Sequence, residues 1–228
     1  DNTLLHLAAQ YGNVDTINYL ISKGADVNAH NAAKITPLHT TVRADKIENV
    51  KSLLSNSANI NYQDNNGRAP IHYALATSNR DILEVLIDAR ANLTMPDYNG
   101  RRPLHFAAER GDEEILQLLL DSEPVITRMG NIDKNLITPL HIAVQNNNIG
   151  VMKILLERIG NPEKFLSTYD ASYMTPPLYL AVQNENIEAI QILLKNGAAE
   201  SIGKTNSEGE SSVYAAGKSQ NKEVIKLI

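Results

Sequence analysis

The tetrapeptide Thr36-Pro37-Leu38-His39 organises the whole sequence, because related tetrapeptides recur along its entire length. Close copies are Ala69-Pro70-Ile71-His72, Arg102-Pro103-Leu104-His105 and Thr138-Pro139-Leu140-His141, and weaker copies begin at residues 3, 176 and 211. The second positions of successive copies lie 33, 33, 33, 36, 38 and 35 residues apart. This nearly constant interval predicts a repeat protein with one structural unit per copy.

Each tetrapeptide is typical of a helix start. The hydroxyl of Thr36 can accept a hydrogen bond from the free N–H groups of a first turn, and Pro37 suits the first helical position, where no N–H is needed. Small residues four and five positions later would let a neighbouring helix approach closely. A second apolar block then follows with helical spacing, as at Leu83 and Leu86. The predicted unit is therefore a helix, a turn, a second helix and an extended loop.

The second helices are predicted to share an apolar column. Its members are Ile17, Val50, Leu83, Leu116, Met152, Ile190 and Ile225. One unit cannot bury this surface alone, whereas stacked copies can, so the sequence predicts one elongated domain over residues 1–228 without an internal boundary. A compact helical bundle is the alternative, but it would not need a constant register.

The pattern resembles the ankyrin repeat, whose signature is T-P-L-H-x-A at a period of 33 residues. The segment Leu20-Ile21-Ser22-Lys23-Gly24-Ala25 is also similar to the family's second-helix ending. The resemblance implies an all-α solenoid of stacked helix-turn-helix units with β-turn fingers, in about seven repeats, of which the first and last are incomplete. The expected repeats are 1–33, 34–66, 67–99, 100–135, 136–173, 174–208 and 209–228.

Some positions depart from the family pattern. Gly24 and Gly197 are expected to end helices in a left-handed conformation, and Ser57 and Arg90 occupy equivalent positions at some energetic cost. The connections over residues 121–137 and 157–174 are longer than the others. Such insertions often lie on a binding face, and neutral drift explains them equally well.

Composition and charge exclude several classes of protein. The chain has no cysteine, so it cannot form disulfides or thiolate metal sites. Its net charge of -5, with no dense basic run, disfavours a nucleic-acid partner, and no apolar run is long enough to span a bilayer. We expect a monomeric segment of a longer array, because it begins without a Met and stops within a helix. A cytoplasmic location is expected first and a secreted one second.

The residues that could serve in catalysis or metal binding are better explained by structural roles. Five of the six histidines share one register, and the resemblance implies that each ties its own first turn to neighbouring backbone. A metal or general-base reading would require them to converge on one point. Asp64-Asn65-Asn66-Gly67 resembles half of a calcium loop but fits turn chemistry better. No catalytic motif, metal site or cofactor is predicted.

We therefore expect a non-catalytic scaffold that binds a partner protein through its fingers and inner helices. The densest set of potential anchors is Tyr98 with Arg101, Arg102, Glu109 and Arg110, although the same residues could form a solvated face only. The other candidate contacts are Ala32, Ile35, Arg43, Asn65, Arg68, Thr77, Lys134, Ile137 and Gln145. The alternative is an array within a larger secreted toxin of the latrotoxin type or a bacterial effector, whose membrane or catalytic activity would lie outside this segment.

Overall fold

The computed structural model describes residues 1–122, 132–159, 162, 166 and 175–228. Within these residues the regular secondary structure is helical, apart from one isolated antiparallel bridge between Thr205 and Ser211. The α-helices are α1 (Leu4–Tyr11), α2 (Val14–Ser22), α3 (Pro37–Arg43), α4 (Ile47–Ser55), α5 (Pro70–Ala76), α6 (Arg80–Asp88), α7 (Pro103–Arg110), α8 (Glu113–Ser122), α9 (Pro139–Gln145), α10 (Ile149–Arg158), α11 (Pro177–Gln183), α12 (Ile187–Lys195), α13 (Ser212–Lys218) and α14 (Lys222–Leu227). A short 3-10 helix spans Ala198–Ser201.

The helices form two compact units, residues 1–110 and residues 111–228. In the first unit α1, α3, α5 and α7 pack in succession as one layer, and α2, α4 and α6 form a second layer. In the second unit α9, α11 and α13 form one layer, and α8, α10, α12 and α14 form the other. This layered stacking is the ankyrin repeat solenoid architecture that the sequence predicts. That residues 1–228 form one domain without an internal boundary stays a prediction.

The core of each unit is made by the predicted apolar columns. Ile17, Val50 and Leu83 are completely buried in the second helices of the first unit. Ala74 and Ala107, which follow the tetrapeptides, are also completely buried. Because an alanine side chain ends at Cβ, it lets the first helices of adjacent repeats pack closely. The small residues therefore set the spacing of the stack.

The helix starts and ends follow the predicted chemistry. The Thr36 Oγ1 accepts a hydrogen bond from the backbone N–H of His39 at 3.4 Å, which caps helix α3. At the ends of second helices, Gly24 and Gly197 have φ values of 90° and 94°. Ser57 and Arg90 keep the left-handed conformation with φ values of 65° and 64°. For residues with a Cβ this conformation costs about 1 kcal/mol.

The last repeat is less buried than the sequence predicts. Val224 is completely buried, whereas Ile225, which the sequence pattern places in the apolar column, is half exposed. Val213 and Tyr214 in α13 are also about half exposed. Copies of these positions in inner repeats, such as those of α3 and α4, have neighbouring helices on both sides. Helices α13 and α14 have a neighbouring repeat on one side only, so the same positions face solvent.

The two longer connections lie largely outside the described residues, so the role of residues 121–137 and 157–174 stays open as stated above. Among the described residues, no helix combines the length and the apolar character that crossing a bilayer requires.

Candidate functional site

The recurrent histidines are structural links between repeats. Nδ1 of His39 accepts a hydrogen bond from the backbone N–H of Thr36 at 3.2 Å, and it lies 2.8 Å from the Thr36 hydroxyl. Because Nδ1 is an acceptor, the ring proton is on Nε2, which donates to the carbonyl of Arg68 in the next repeat at 3.0 Å. His6 makes the same two contacts, with the N–H of Thr3 and the carbonyl of Ile35. His141 makes them with the N–H of Thr138 and the carbonyl of Thr175. The predicted structural role is confirmed.

Burial controls the charge state of this linker. Removal from water lowers the pKa of His39 from 6.5 to about 4, although the hydrogen bond to the Arg68 carbonyl opposes the shift. Burial also lowers the pKa of His72, whose Nε2 lies 3.0 Å from the carbonyl of Met95. His39 and His72 are therefore neutral near pH 7. His30 differs, since it is exposed in a finger and stacks on Tyr62 at 5.8 Å.

The fingers are built around carboxylates that accept backbone N–H groups. Oδ1 of Asp64 accepts hydrogen bonds from the N–H groups of Asn66 and Arg68, each at 2.8 Å. Oδ1 of Asp97 and Oδ1 of Asp133 accept from the residues two and four positions later in the same way. The turn interpretation of Asp64-Asn65-Asn66-Gly67 is confirmed, and the other two fingers use the same chemistry. Within the part of the chain that the structure describes, no cluster of His, Asp and Glu has the grouping of a metal site.

A tyrosine completes one of these fingers. The Tyr73 hydroxyl donates to Oδ2 of Asp64 at 2.5 Å, joining the first helix of the third repeat to its finger. Burial and, to a smaller extent, this hydrogen bond raise the pKa of Tyr73 to about 12. Burial alone would raise the pKa of Asp64, but the bonds from Tyr73 and from two backbone N–H groups outweigh it and lower that pKa. The finger is therefore held by a neutral tyrosine and an ionised aspartate.

The next finger lacks this bond. Nine residues after Asp97 the chain has Phe106 instead of a tyrosine, so the equivalent hydroxyl is missing. Oδ2 of Asp97 is buried and has no hydrogen-bond partner among the described residues. Its ion pair is with Nε of Arg68 at 3.9 Å, which is too long for a hydrogen bond. One buried carboxylate oxygen is thus left without a donor.

We expect the Phe106→Tyr variant to stabilise the protein. A hydroxyl at position 106 would donate to Oδ2 of Asp97 as Tyr73 donates to Asp64, raising the free energy of unfolding by about 1 kcal/mol. Tyr73→Phe is the matched control and should lower it by about the same amount. Urea denaturation followed by circular dichroism measures both. A Phe106→Tyr protein less stable than the wild type would contradict this account of the orphaned oxygen.

A surface groove lies beside this finger in the first unit. Its volume is about 440 Å³, and we call it the Phe106 groove. Its lining residues are Arg68, Ala76, Arg101, Phe106, Glu109 and Arg110. The guanidinium carbons of Arg101 and Arg68 lie 4.4 and 5.4 Å from the centre of the Phe106 ring. These are cation–π distances, so the buried ring orients two arginines.

Four of the predicted contact residues therefore share one groove: Arg68, Arg101, Glu109 and Arg110. Tyr98 is half exposed on the neighbouring finger, where its backbone N–H donates to the carbonyl of Asn66 at 2.9 Å. Arg102 is half-buried, and its backbone N–H donates to Nδ1 of His105. Whether a partner contacts these residues stays a prediction.

The other predicted contacts are distributed over both units. In the first unit Ala32, Arg43, Asn65 and Thr77 are exposed, whereas the side chain of Ile35 is buried. Asn65 donates to the carbonyl of Ala32 at 2.9 Å, so these two finger tips are joined. In the second unit Lys134 and Gln145 are exposed and Ile137 is half-buried.

A second groove of about 230 Å³ occupies the equivalent place near the start of the first unit, and we call it the Thr40 groove. It is lined by Asn2, Gln10, Asn31, Ile35, Thr40, Arg43 and Ala44. Thr40 occupies the same position of its repeat as Phe106 does in the other groove. Ile35 likewise occupies the repeat position of Arg101. The two grooves have the same position in the repeat but different chemistry, since the Thr40 groove contains a single charged residue.

Sequence reasoning missed two parts of the Phe106 groove. Phe106 occupies the variable x position of T-P-L-H-x-A, and Ala76 lies three residues beyond the equivalent position in the preceding repeat. The available signal was the pair of aromatic residues at successive x positions, Tyr73 and Phe106. Which arginines would stack on the ring depends on the distance between adjacent repeats, and a single repeat does not contain that information.

Known proteins show the same pattern. The sequence matches the family described as ankyrin repeats (3 copies) over residues 5–97 and 88–168, which together exceed half of the chain. The crystal structure of the human ASB11 ankyrin repeat domain is similar to this chain, with a TM-score of 0.76 and 25% sequence identity over 99% of this chain and 96% of that one. The search of the curated proteins found no match. On the strength of the family match, the repeated tetrapeptides and the stacked helix pairs, the chain belongs to the ankyrin repeat family.

Proposed function

We propose that this chain is a non-catalytic interaction module that binds a partner protein on the surface formed by its fingers and first helices. Ankyrin repeats generally mediate protein–protein interaction. The observation that supports this surface in particular is the Phe106 groove, which brings four predicted contact residues together in the first unit. The alternative of a larger toxin or effector would use the same surface and would differ only in what the rest of that protein does.

The contrast between buried structural side chains and variable surface side chains supports the same function. The histidines, finger aspartates and apolar columns are buried and bonded within the stack, so they are committed to the fold. The residues around the groove vary in size and charge from repeat to repeat. Interfaces favour Arg and Tyr as anchors, and these are the residue types that the surface presents. The stack thus supplies a rigid support, and the variable positions supply recognition.

Photocrosslinking tests this proposal without knowing the partner. Benzoylphenylalanine introduced at Tyr98 places a crosslinker on the finger surface, and the same residue at Tyr19 is a matched control. Tyr19 is 61% exposed, but it lies on α2 in the other helix layer. In an extract of the cells that produce the protein, we expect position 98 to yield a discrete crosslinked protein and position 19 to yield none.

The outcome that would contradict the proposal is equal crosslinking at the two positions, or none at position 98. Substitution of tyrosine by another large aromatic residue at two exposed sites should preserve the fold. Circular dichroism and the unfolding midpoint would verify that both labelled proteins are folded as the wild type is.

A further inference from the structure

We propose that the Phe106 groove binds an acidic segment of the partner, whose Asp or Glu carboxylates contact the guanidinium groups of Arg68, Arg101 and Arg110. This inference rests on the proposed function and adds the chemistry of the bound segment. It follows from how the arginines are held, from the donors they leave unused and from the local balance of charge.

Two of the arginines are oriented before any ligand binds. Arg101 is held over the Phe106 ring, and its Nη2 donates to Oε2 of Glu109 at 2.6 Å. Arg68 is held over the same ring and against the buried carboxylate of Asp97. An arginine that is already ordered loses less conformational entropy when it binds a carboxylate. The groove is therefore preorganised for a planar anion.

These arginines also have donors to spare. A guanidinium carries five N–H donors. Arg101 uses one of them on Glu109, and Arg68 forms its long ion pair with Asp97 and no side-chain hydrogen bond within the described residues. Nε of each arginine is buried and without a hydrogen-bond partner in that part of the chain, whereas the side chains of Arg68 and Arg101 remain 35% and 21% exposed, so the N–H groups that a ligand can reach are those on the Nη nitrogens. Carboxylates match the fork of a guanidinium with two parallel hydrogen bonds, so they are suitable acceptors for the unused N–H groups.

The charge at the groove surface is positive, although the whole chain has a net charge of -5. The carboxylate of Asp97 is only 1% exposed, so it faces the interior beneath Arg68. Glu109 is exposed and is already paired with Arg101. Arg110 is exposed and has no ion-pair partner among the described residues. A local patch of opposite sign to the rest of the chain selects acidic partners and speeds their encounter.

The size of the groove and the adjacent finger suit a segment of a protein. A groove of about 440 Å³ accommodates a few side chains. Arg101 belongs to the same finger as Tyr98, which is half exposed and offers an aromatic surface for residues that flank the carboxylates. The equivalent Thr40 groove lacks the stacked pair of arginines. Of these two grooves, the Phe106 groove should therefore be the one that selects acidic residues.

The test starts from a phage library of random dodecapeptides, selected on the full chain with an excess of the Arg101→Ala/Arg110→Ala double variant as competitor. Competition removes peptides that bind elsewhere. We expect the surviving peptides to be enriched in Asp and Glu. Selection of peptides without that enrichment, or of none that prefer the wild type, would overturn the proposal.

Fluorescence anisotropy then measures binding of the most enriched peptide, labelled with fluorescein. Arg110→Ala should weaken binding about tenfold, equivalent to about 1.4 kcal/mol. Arg80→Ala is the control, because it removes an arginine from helix α6 in the other layer of the same unit, and it should change affinity less than twofold. Arg110 is exposed and has no ion pair within the described residues, so we expect this variant to keep the fold even where Arg101→Ala does not.

Two further probes identify the chemistry. The same peptide with Gln and Asn in place of Glu and Asp should bind at least tenfold more weakly. A single-stranded oligonucleotide of equal charge should compete poorly. Equal binding of the amide peptide, or stronger binding of the oligonucleotide, would reject an acidic protein segment as the ligand. Crosslinking from position 98 does not depend on the charge of the partner, so it can still support the proposed function if these binding tests fail.

Discussion

Replacing Leu53 with alanine is expected to lower the free energy of unfolding by about 3 kcal/mol. Leu53 is completely buried in α4, and α4 packs between α2 and α6. Removing three carbon atoms there leaves a cavity that cannot collapse easily, because helices on both sides hold the surrounding side chains in place. Urea denaturation followed by far-ultraviolet circular dichroism measures the loss.

Leu54→Ala is the control for this prediction. Leu54 is the next residue of the same helix and is partly exposed, so its removal should cost about 1 kcal/mol by lost burial alone. The difference between the two variants isolates the contribution of packing between repeats. Similar losses from both would mean that the second helices do not pack as a continuous core.

Replacing His39 with alanine is expected to cost about 3 kcal/mol, by a different mechanism. The imidazole accepts the N–H of Thr36 and donates to the carbonyl of Arg68. Its removal leaves both of these backbone groups without a partner in the interior, where each unsatisfied group is costly. His30→Ala provides the comparison, since His30 is exposed, and it should change stability by less than about 0.5 kcal/mol.

The pH dependence of stability gives an independent measurement on the same residue. Burial lowers the pKa of His39 to about 4, whereas an unfolded chain protonates histidine near pH 6.5. Between these values the unfolded state binds a proton that the folded state does not, so stability is present above pH 6.5 and falls as the pH decreases towards 4. The His39→Ala protein should lose less stability over this interval than the wild type. An unchanged slope would contradict a neutral buried imidazole.

The fold could be predicted from sequence because its determinants are local and repeated. A capping residue, a proline and a histidine act within one helical turn, so Thr36, Pro37 and His39 can be interpreted without knowing what surrounds them. The apolar columns required only the helical period and the repeat interval. The half-exposed Ile225 was missed because periodicity assigns a face to a helix but does not say whether another helix covers that face.

The candidate site was predicted only in part, because its chemistry depends on contacts between repeats. Sequence reasoning grouped Arg101, Glu109 and Arg110 in one patch with Tyr98 and Arg102, and it gave Arg68 as a separate contact. It did not indicate that Phe106 orders two of these arginines. Nor did it indicate that a phenylalanine in place of tyrosine leaves an oxygen of Asp97 without a donor.

Repetition along the chain was sufficient to establish the family, the two-helix unit, the contact of each histidine with its own first turn and the turns made by the finger aspartates. Each of these features depends on residues within a few positions of one another or on a period that the sequence displays directly. The groove, the stacking of two guanidinium groups on one ring and the orphaned carboxylate oxygen required tertiary structure. They arise where side chains from adjacent repeats meet, and the distances between those repeats follow from packing and not from sequence order.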